Sequence, residues 1–305
     1  MLPDKPNLIV VLGPTASGKT ALGVQLAEQL QGEIISADSR QVYRGLDIGS
    51  GKDLDEYGDI PYHLIDVVDP GYEYNVFEFQ KGFSASFSKI QAKGKFPLLV
   101  GGTGLYLESV VKQYQFTQVP TNVTLRASLE DKAHEELVEL LKARNPTLHN
   151  TTDLLIRERL VRAIEIAEAE LSAEKTAIEM PSVSPLILGI RWERELLKKR
   201  ITHRLTLRIE QGLIEEVESL HAKGVSWDTL HFYGLEYRFV GAYLQGEINK
   251  NDMFQKLNSA IHTFSKQQMK WFRRMERKGT TIHWLEGEGH GGDVLCQANN
   301  VIDRH

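Results

Sequence analysis

A glycine-rich segment near the start of the chain carries the clearest chemical signal in this sequence. Residues 13–20 read GPTASGKT and match the pattern G-x-x-x-x-G-K-[ST]. In such a loop the backbone N–H groups surround phosphate oxygens, the lysine adds a positive charge and the final hydroxyl can ligate Mg²⁺. The pattern predicts that phosphate is bound by Gly13, Pro14, Thr15, Ala16, Ser17, Gly18, Lys19 and Thr20. By itself the motif indicates phosphate binding and nothing narrower.

A second polar segment, SADSRQVYRGLDIGSGK at residues 36–52, follows an apolar stretch of chain. If that stretch is the second strand of a parallel sheet, Asp38 lies at its carboxyl end, beside the phosphate-binding loop. Three roles are open to Asp38: a residue linked to Mg²⁺, a base for an incoming nucleophile, or a cap at the end of the strand.

The third segment is LLVGGTGLY at residues 98–106, where an apolar run passes through paired glycines into a helical pattern. A turn of this kind can aim backbone N–H groups and the hydroxyl of Thr103 at an anion. Glycine pairs also serve simply to let a strand turn tightly. Both interpretations of Thr103 are open from these residues alone.

A parallel sheet would bring these motifs together. Short runs rich in Ile and Val, each ending near Gly, Asp or Pro, predict buried parallel strands at residues 8–12, 33–37, 63–68, 97–100 and 185–190. Helical patterns lie at residues 20–30, 77–93, 194–222 and 251–277. The alternation of strands and helices predicts an α/β core with right-handed crossovers.

The character of the sequence changes at about residue 120. From there to residue 184 the chain carries charged, amphipathic helix patterns with no strand pattern between them. We therefore predict a helical insertion over residues 120–184 in a core formed by residues 1–119 and 185–305. The prolines of the segment MPSVSP, at residues 180–185, predict the linker that leaves the insertion.

Composition limits the class of protein. The net charge is −5 and the only cysteine is Cys296, so an intramolecular disulfide is impossible and a reducing compartment is expected. No run approaches the ~18 apolar residues of a membrane span. These features predict a soluble, cytoplasmic protein without a membrane partner.

Two segments are basic despite the negative total. Residues 191–208 hold seven Lys and Arg against two Glu, and residues 266–278 hold six against one. In the first, Arg200, Arg204 and Arg208 repeat at i+4 and form either a ligand-contacting face or a solvated row of charges. Around the second, over residues 264–277, basic residues are interleaved with the aromatic residues Phe264, Trp271 and Phe272. These aromatic residues either stack on unpaired bases or belong to the core.

The ordered trio GPTASGKT, ADSRQVYRGLDIGSGK and VGGTGLY resembles the tRNA dimethylallyltransferases, also called tRNA isopentenyltransferases. The resemblance continues through PYHLIDVVDP, RERLVRAIE, ERELLKKRITHRL, YRFVGAYLQGEI and KQQMKWFRR. It implies a P-loop NTPase-like parallel sheet flanked by helices, with an inserted all-helical subdomain. It also implies transfer of a dimethylallyl group from dimethylallyl diphosphate to the exocyclic N6 amine of the adenosine 3′-adjacent to the anticodon.

The resemblance implies a role for each matching residue. Lys19 and the loop amides would hold the diphosphate, Thr20 would bind Mg²⁺, and Asp38 would accept the proton of the attacking amine. Thr103 and Arg204 would complete the catalytic set. The residues implied to contact the tRNA anticodon stem-loop are Asp38, Ser39, Arg40, Gln41, Thr103, Arg126, Glu158, Arg159, Leu160, Val161 and Arg162. The resemblance further implies a monomer without an obligate protein partner.

Three segments depart from the family's common pattern. Gln267 stands where many members have a basic residue, and Leu235-Glu236 precedes Tyr237-Arg238 where a Gly-Tyr pair is usual. The run GSGKDLDEYGDIPYHLID, after the DIG turn, also differs from the commoner sequence.

Three other functions remain open. A prenyltransferase acting on free adenine nucleotides would not need the helical insertion with its arginines. An ATP- or GTP-dependent kinase or switch protein would be expected to have an acidic strand end, whereas PLLV runs straight into Gly101-Gly102. A non-catalytic RNA-binding module would leave Lys19, Thr20 and Asp38 together without a use.

Overall fold

A computed structural model gives the fold for residues 5–116, 119, 121–144, 154, 157–171, 178–287 and 293–305. The chain divides into two compact units. The first comprises Met1–Tyr114 and Met180–His305, and the second is Gln115–Glu179. Pro120, at which the sequence analysis began the insertion, lies outside the described residues.

The first unit is built on a sheet whose six described strands all pair in parallel, in the order β3-β2-β4-β1-β5-β6. The strands are β1 (Leu8–Leu12), β2 (Gly32–Ala37), β3 (Tyr62–His63), β4 (Phe96–Gly101), β5 (Pro185–Arg191) and β6 (His283–Glu286). The helices of this unit are α1 (Lys19–Leu30), α2 (Val76–Ala92), α3 (Gly104–Val111), α7 (Arg194–Glu210), α8 (Leu213–Ala222), α9 (Trp227–Phe232), α10 (Leu235–Leu244), α11 (Lys250–Arg277) and α12 (Val294–Ile302). The predicted α/β class is confirmed.

Both faces of the sheet are covered, which explains why its strands are almost continuously apolar. On β1, Val10 packs with Phe83 of α2 on one face, while Val11 packs with Leu26 of α1 on the other. Burying a side chain such as Phe83 contributes roughly 1.5–3 kcal/mol to the stability of this layer. A third apolar cluster joins helices α7 to α11 and includes Leu205.

Two predicted elements were wrong in extent. In the run 63–68 only His63 belongs to a strand, because Leu64 and Asp66 adopt positive φ angles of 63° and 55°. The backbone N–H groups of residues 66–68 bond instead to the carbonyls of Gln41 and Val42. The helix predicted over 194–222 is two helices, since Gly212 has a φ of 103° and separates α7 from α8.

The second unit holds the helices α4 (Val123–Leu129), α5 (His134–Arg144) and α6 (Arg157–Leu171). Leu137 and Leu141 of α5 pack with Leu160 and Ile164 of α6 in a small core of their own. The spacing of four residues on each helix places these side chains on one face. Residues 178–184, predicted to include the linker that leaves the insertion, contain no helix or strand.

Among the described residues, no helix has both the length and the apolar character that crossing a membrane requires.

Candidate active site

The phosphate-binding loop lies between β1 and α1, the strand-loop-helix order that its motif requires. Ala16 and Gly18 both have positive φ angles, 61° and 89°, so the backbone curls at the start of α1. The N–H of Ser17 donates to the carbonyl of Pro14 over 3.3 Å, which closes the turn. Such a turn at a helix N-terminus directs backbone N–H groups toward an anion.

Lys19 is the cation of this loop. Its ammonium donates to the carbonyl of Pro14 over 3.4 Å. Burial, followed by the positive charge of Arg204, lowers the pKa of Lys19 to about 8, although the carboxylate of Asp38 opposes the shift. When burial and neighbouring cations disfavour the charged form of a lysine, an anionic ligand that enters beside it raises the pKa again, so anion binding and the lysine's charge favour each other.

Asp38 and Thr103 meet at the carboxyl edge of the sheet because β2 and β4 are neighbours. The N–H of Thr103 donates to the carbonyl of Ala37 over 3.1 Å. Its side-chain oxygen accepts from the N–H of Ser39 over 3.0 Å. Asp38 Oδ1 accepts from the N–H of Arg40 over 2.9 Å, so this carboxylate does cap the local turn. The segment that carries Asp38 and the segment that carries Thr103 are therefore hydrogen-bonded to each other.

The four residues 38–41, predicted to contact tRNA, differ in what their side chains do. Gln41 is buried: its Oε1 accepts from the hydroxyl of Ser36 over 2.8 Å and its Nε2 donates to the carbonyl of Gly51 over 2.9 Å. Arg40 instead lies over the exposed ring of Phe232, at 5.1 Å from its centre. Gln41 thus supports the turn at Gly51 from inside the protein.

The arginines of α7 contact the phosphate-binding loop and a nearby carboxylate, and their exposure falls from Arg200, which is exposed, to Arg208, which is buried. Arg200 Nε donates to the carbonyl of Ala16 over 2.9 Å, and its guanidinium lies 4.2 Å from the ring centre of Trp192. Arg204 forms an ion pair with Asp53. These contacts place two of the three arginines against the loop and against a carboxylate close to it.

Arg208 is the most buried of the three. Its guanidinium lies 3.9 Å from the carboxylate of Asp53 and 3.7 Å from that of Glu236. Burial lowers the pKa of Arg208 and raises that of Glu236. Gly51 has a left-handed φ of +66°, and a β-carbon there would crowd the guanidinium of Arg208, so glycine is favoured at the turn that Gln41 supports.

Gln268, on α11, is a site residue that the sequence analysis did not single out. Its Oε1 accepts from the N–H of Thr15 over 2.8 Å, and its Nε2 donates to the carbonyl of Gly102 over 3.0 Å. One buried amide therefore joins the phosphate-binding loop to the loop that carries Thr103. Gln268 belongs to the KQQMKWFRR segment, which the resemblance includes, but nothing in that segment distinguishes it from Gln267.

The three aromatic residues in or just before the second basic segment differ in their surroundings. Phe272 is fully buried and packs in the sheet's core. Trp271 packs against that core and lies under Arg274, whose guanidinium is 3.9 Å from the ring centre. Phe264 is exposed and remains available for stacking.

In the second unit, a buried carboxylate organises two of the arginines that the resemblance assigns to tRNA. Glu165 accepts from Arg126 Nε over 2.8 Å and Nη2 over 3.1 Å, and from Arg162 Nη1 over 2.9 Å. Burial would raise the pKa of Glu165, yet the hydrogen bonds from Arg126 and Arg162 hold it below its ordinary value.

The other predicted tRNA contacts of this unit lie on α6. Glu158 and Arg159 are exposed, and Val161 is partly buried. Leu160 is fully buried in the small core, so its side chain packs inside the unit.

Two family models match the chain: "Isopentenyl transferase" over residues 6–57 and "IPP transferase" over residues 41–275. The chain is 64% identical to tRNA dimethylallyltransferase 1 of Geotalea uraniireducens, with 97% of each protein covered. It is 60% identical to tRNA dimethylallyltransferase 1 of Geotalea daltonii, with 97% of this chain and 95% of that protein covered.

Solved structures agree with these relatives. The full-length tRNA isopentenylpyrophosphate transferase of Bacillus halodurans superposes with a TM-score of 0.71 at 29% identity, with 98% of each chain covered. The tRNA isopentenylpyrophosphate transferase of Staphylococcus epidermidis gives a TM-score of 0.69 at 28% identity, covering 98% of this chain and 99% of that one. The chain belongs to the tRNA dimethylallyltransferase family, the IPP transferases.

Proposed function

We propose that this protein transfers a dimethylallyl group from dimethylallyl diphosphate to the N6 amine of the adenosine 3′-adjacent to the anticodon of tRNAs. The observation that carries the proposal is that Asp38 and Thr103 lie together at the carboxyl edge of the sheet, beside a phosphate-binding loop. Identity of 64% to a tRNA dimethylallyltransferase over 296 residues supports the same activity.

The phosphate-binding loop would hold the leaving group. In the reaction the bond between the allylic carbon and the diphosphate oxygen breaks while a bond from N6 to that carbon forms. Negative charge gathers on the diphosphate, and cations aimed at that charge lower the barrier. Lys19, Arg204 and the loop amides would supply this stabilisation.

Asp38 would take the proton that N6 loses. The attacking amine is part of an aromatic base and is a weak nucleophile, so a carboxylate within reach of its proton assists the attack. The bond from the N–H of Arg40 to Asp38 Oδ1 fixes the direction of this carboxylate. As an anion, Asp38 also favours the positive charge that develops on the allylic carbon and N6.

Mg²⁺ is part of this proposal. Across the described ranges, no three His, Cys, Asp or Glu side chains gather closely enough to hold a metal by themselves. Mg²⁺ commonly binds through one or two protein oxygens together with substrate phosphates and water. The hydroxyl of Thr20, in the first turn of α1, is an oxygen of this kind and fits that mode. Bound Mg²⁺ would neutralise charge on the diphosphate.

The macromolecular substrate would be the tRNA anticodon stem-loop. A base must leave its stack before a protein group can reach its edge. Arg40 over the exposed ring of Phe232 offers a cation and an aromatic face for an unstacked nucleotide. The arginines around Glu165 would contact the tRNA backbone. We propose that the protein acts on tRNA in the cytoplasm, as a monomer.

The experiment uses the full chain with labelled dimethylallyl diphosphate, Mg²⁺ and one of three acceptors: unmodified tRNA, AMP or ATP. We expect label to enter tRNA alone, with one diphosphate released per group transferred. Transfer to AMP alone would indicate a prenyltransferase of free nucleotides, and ATP hydrolysis without transfer would indicate an ATP-dependent enzyme. Either result would overturn the proposal.

A further inference from the structure

Asp53 lies in the segment that departs from the family's common sequence after the DIG turn. It directly follows the turn at Gly51 and Lys52 and precedes the short 3-10 helix Leu54–Tyr57. Its φ of 47° is left-handed, and its side chain makes no hydrogen bond that caps this helix. The carboxylate of Asp53 therefore does not stabilise the start of this helix.

That carboxylate points to the arginines of α7. It forms an ion pair with Arg204 and lies 3.9 Å from Arg208. The side chain of Asp53 is 31% exposed and that of Arg204 is 30% exposed, so the pair lies at the border between the protein and solvent. A ligand entering the site reaches this pair without the interior being opened.

Charge explains why the pair forms. Arg204 and Arg208 lie close enough to Lys19 that both lower its pKa, while Asp53 lies close enough to raise it. Cations crowded in this way repel one another unless an anion stands among them. Asp53 is such an anion, and a diphosphate bound by the loop would be another.

We propose that Asp53 is a positioning residue that occupies Arg204 before substrate binds, yields it to the diphosphate of dimethylallyl diphosphate, and recovers it when diphosphate leaves. The inference rests on the proposed function, because it takes Arg204 to contact the diphosphate. Asp53 and diphosphate compete for one guanidinium.

The competition has two consequences. It weakens diphosphate binding, because the ligand must displace an ion pair and approach a carboxylate of like charge. It also speeds release of the product, because Asp53 re-forms its ion pair as diphosphate departs. While diphosphate is bound, the partly exposed side chain of Asp53 would turn toward solvent.

The test measures binding of inorganic diphosphate by titration calorimetry and product inhibition by diphosphate during turnover on tRNA. Asparagine tolerates the left-handed backbone, so Asp53→Asn removes the charge and keeps the turn. We expect this variant to bind diphosphate about three- to tenfold more tightly than the unmodified protein. Its product inhibition should tighten by the same factor. Asp53→Glu, which keeps the charge, should restore the original affinity.

Glu56→Gln is the matched control. Glu56 lies in the short helix that follows Asp53. It carries the same charge and is within electrostatic reach of Arg204 and Lys19. In the part of the chain that the structure describes it forms no ion pair. If Asp53→Asn binds diphosphate more tightly and Glu56→Gln does not, the result supports displacement of Asp53 from Arg204 by the ligand.

Three results would overturn the inference. Equal affinity in Asp53→Asn and the unmodified protein would show that the carboxylate does not compete. Weaker affinity would show that Asp53 stays with the ligand, for instance through a cation. Equally tighter diphosphate binding in Asp53→Asn and Glu56→Gln would show that removing any nearby negative charge has this effect. If the unmodified protein neither binds diphosphate nor prenylates tRNA, the proposed function fails as well.

Discussion

The side-chain oxygen of Thr103 accepts a hydrogen bond from the backbone N–H of Ser39, with 3.0 Å between the two atoms. The two residues are 64 positions apart in the chain, and the bond joins the loops that follow β2 and β4. Because Ser39 is adjacent to Asp38, this bond ties the position of the Asp38 carboxylate, the base in the proposed reaction, to the loop that carries Thr103.

Replacing Thr103 tests this dependence. Thr103→Val keeps the shape of the side chain and removes the acceptor for the Ser39 N–H. We expect kcat/KM to fall by about tenfold or more, because a lost hydrogen bond leaves a donor unpaired and loosens Asp38. Steady-state kinetics on tRNA measures the loss, and Thr103→Ser should retain most of the activity. Equal loss in both variants would contradict this dependence, because Thr103→Ser keeps the hydroxyl that accepts from the Ser39 N–H.

Gln268 should control diphosphate affinity through the loop. Gln268→Met keeps the length of the side chain but leaves the Thr15 N–H and the Gly102 carbonyl without their partner. We expect a loss of about 1–3 kcal/mol in the free energy of unfolding and a higher KM for dimethylallyl diphosphate. Denaturant unfolding and kinetics give the two values.

The neighbouring Gln267 provides the control for that experiment, since it is exposed on the same helix. Gln267→Met should leave both the free energy of unfolding and the KM for dimethylallyl diphosphate near their original values. If the two glutamine variants behave alike, the bridge made by Gln268 has no special role.

Replacing Glu165 should impair the reaction with tRNA more than it impairs the binding of dimethylallyl diphosphate. Glu165→Gln removes the charge that holds Arg126 and Arg162 in place. We expect kcat/KM for tRNA to fall about tenfold with little change in the KM for dimethylallyl diphosphate. Glu139→Gln, which removes an exposed carboxylate from α5, should change neither. A rise in the KM for dimethylallyl diphosphate with Glu165→Gln would contradict the expectation that Glu165 acts on tRNA binding alone.

The pKa of Lys19 predicts how diphosphate binding depends on pH. Its value in the free protein is lowered to about 8, so Lys19 is charged below pH 8 and loses its charge above it. A bound anion favours the charged form, so binding takes up a proton at higher pH and weakens up to about tenfold per pH unit. Titrations of inorganic diphosphate between pH 7 and about 9.5 check the trend.

Lys19→Arg separates this effect from the ionisation of the ligand itself. An arginine keeps its charge over the whole interval, so the additional weakening above pH 8 should disappear. A profile unchanged by Lys19→Arg would assign the dependence to the ligand or to another group.

The fold was largely predictable because its signals are local. The apolar run of β1 was predicted with the bounds that the structure shows, and the loop motif fixed the start of α1 within one residue. The run at 63–68 was overestimated, since its apolar residues pair with the backbone of residues 41–43, which periodicity does not reveal. The short edge strand β6 and the helix α12 were not predicted, because their residues show no clear strand or helix periodicity.

The site was predictable only in part, for a related reason. Lys19, Asp38 and Thr103 stand in recognisable motifs, each next to a strand end. Gln268 reaches the loop from 253 residues away, and Asp53 pairs with an arginine 151 residues away. Such contacts depend on how helices α7 and α11 pack against the sheet, so no local spacing reports them.

The role of Asp38 is the central claim, and single-turnover transfer to tRNA tests it most directly. Asp38→Asn keeps the acceptor for the Arg40 N–H and removes the base. With tRNA and dimethylallyl diphosphate both saturating, we expect their binding to be retained and the rate of transfer to fall by about 10²–10⁴-fold. Transfer at the original rate by a correctly folded Asp38→Asn variant would contradict the account.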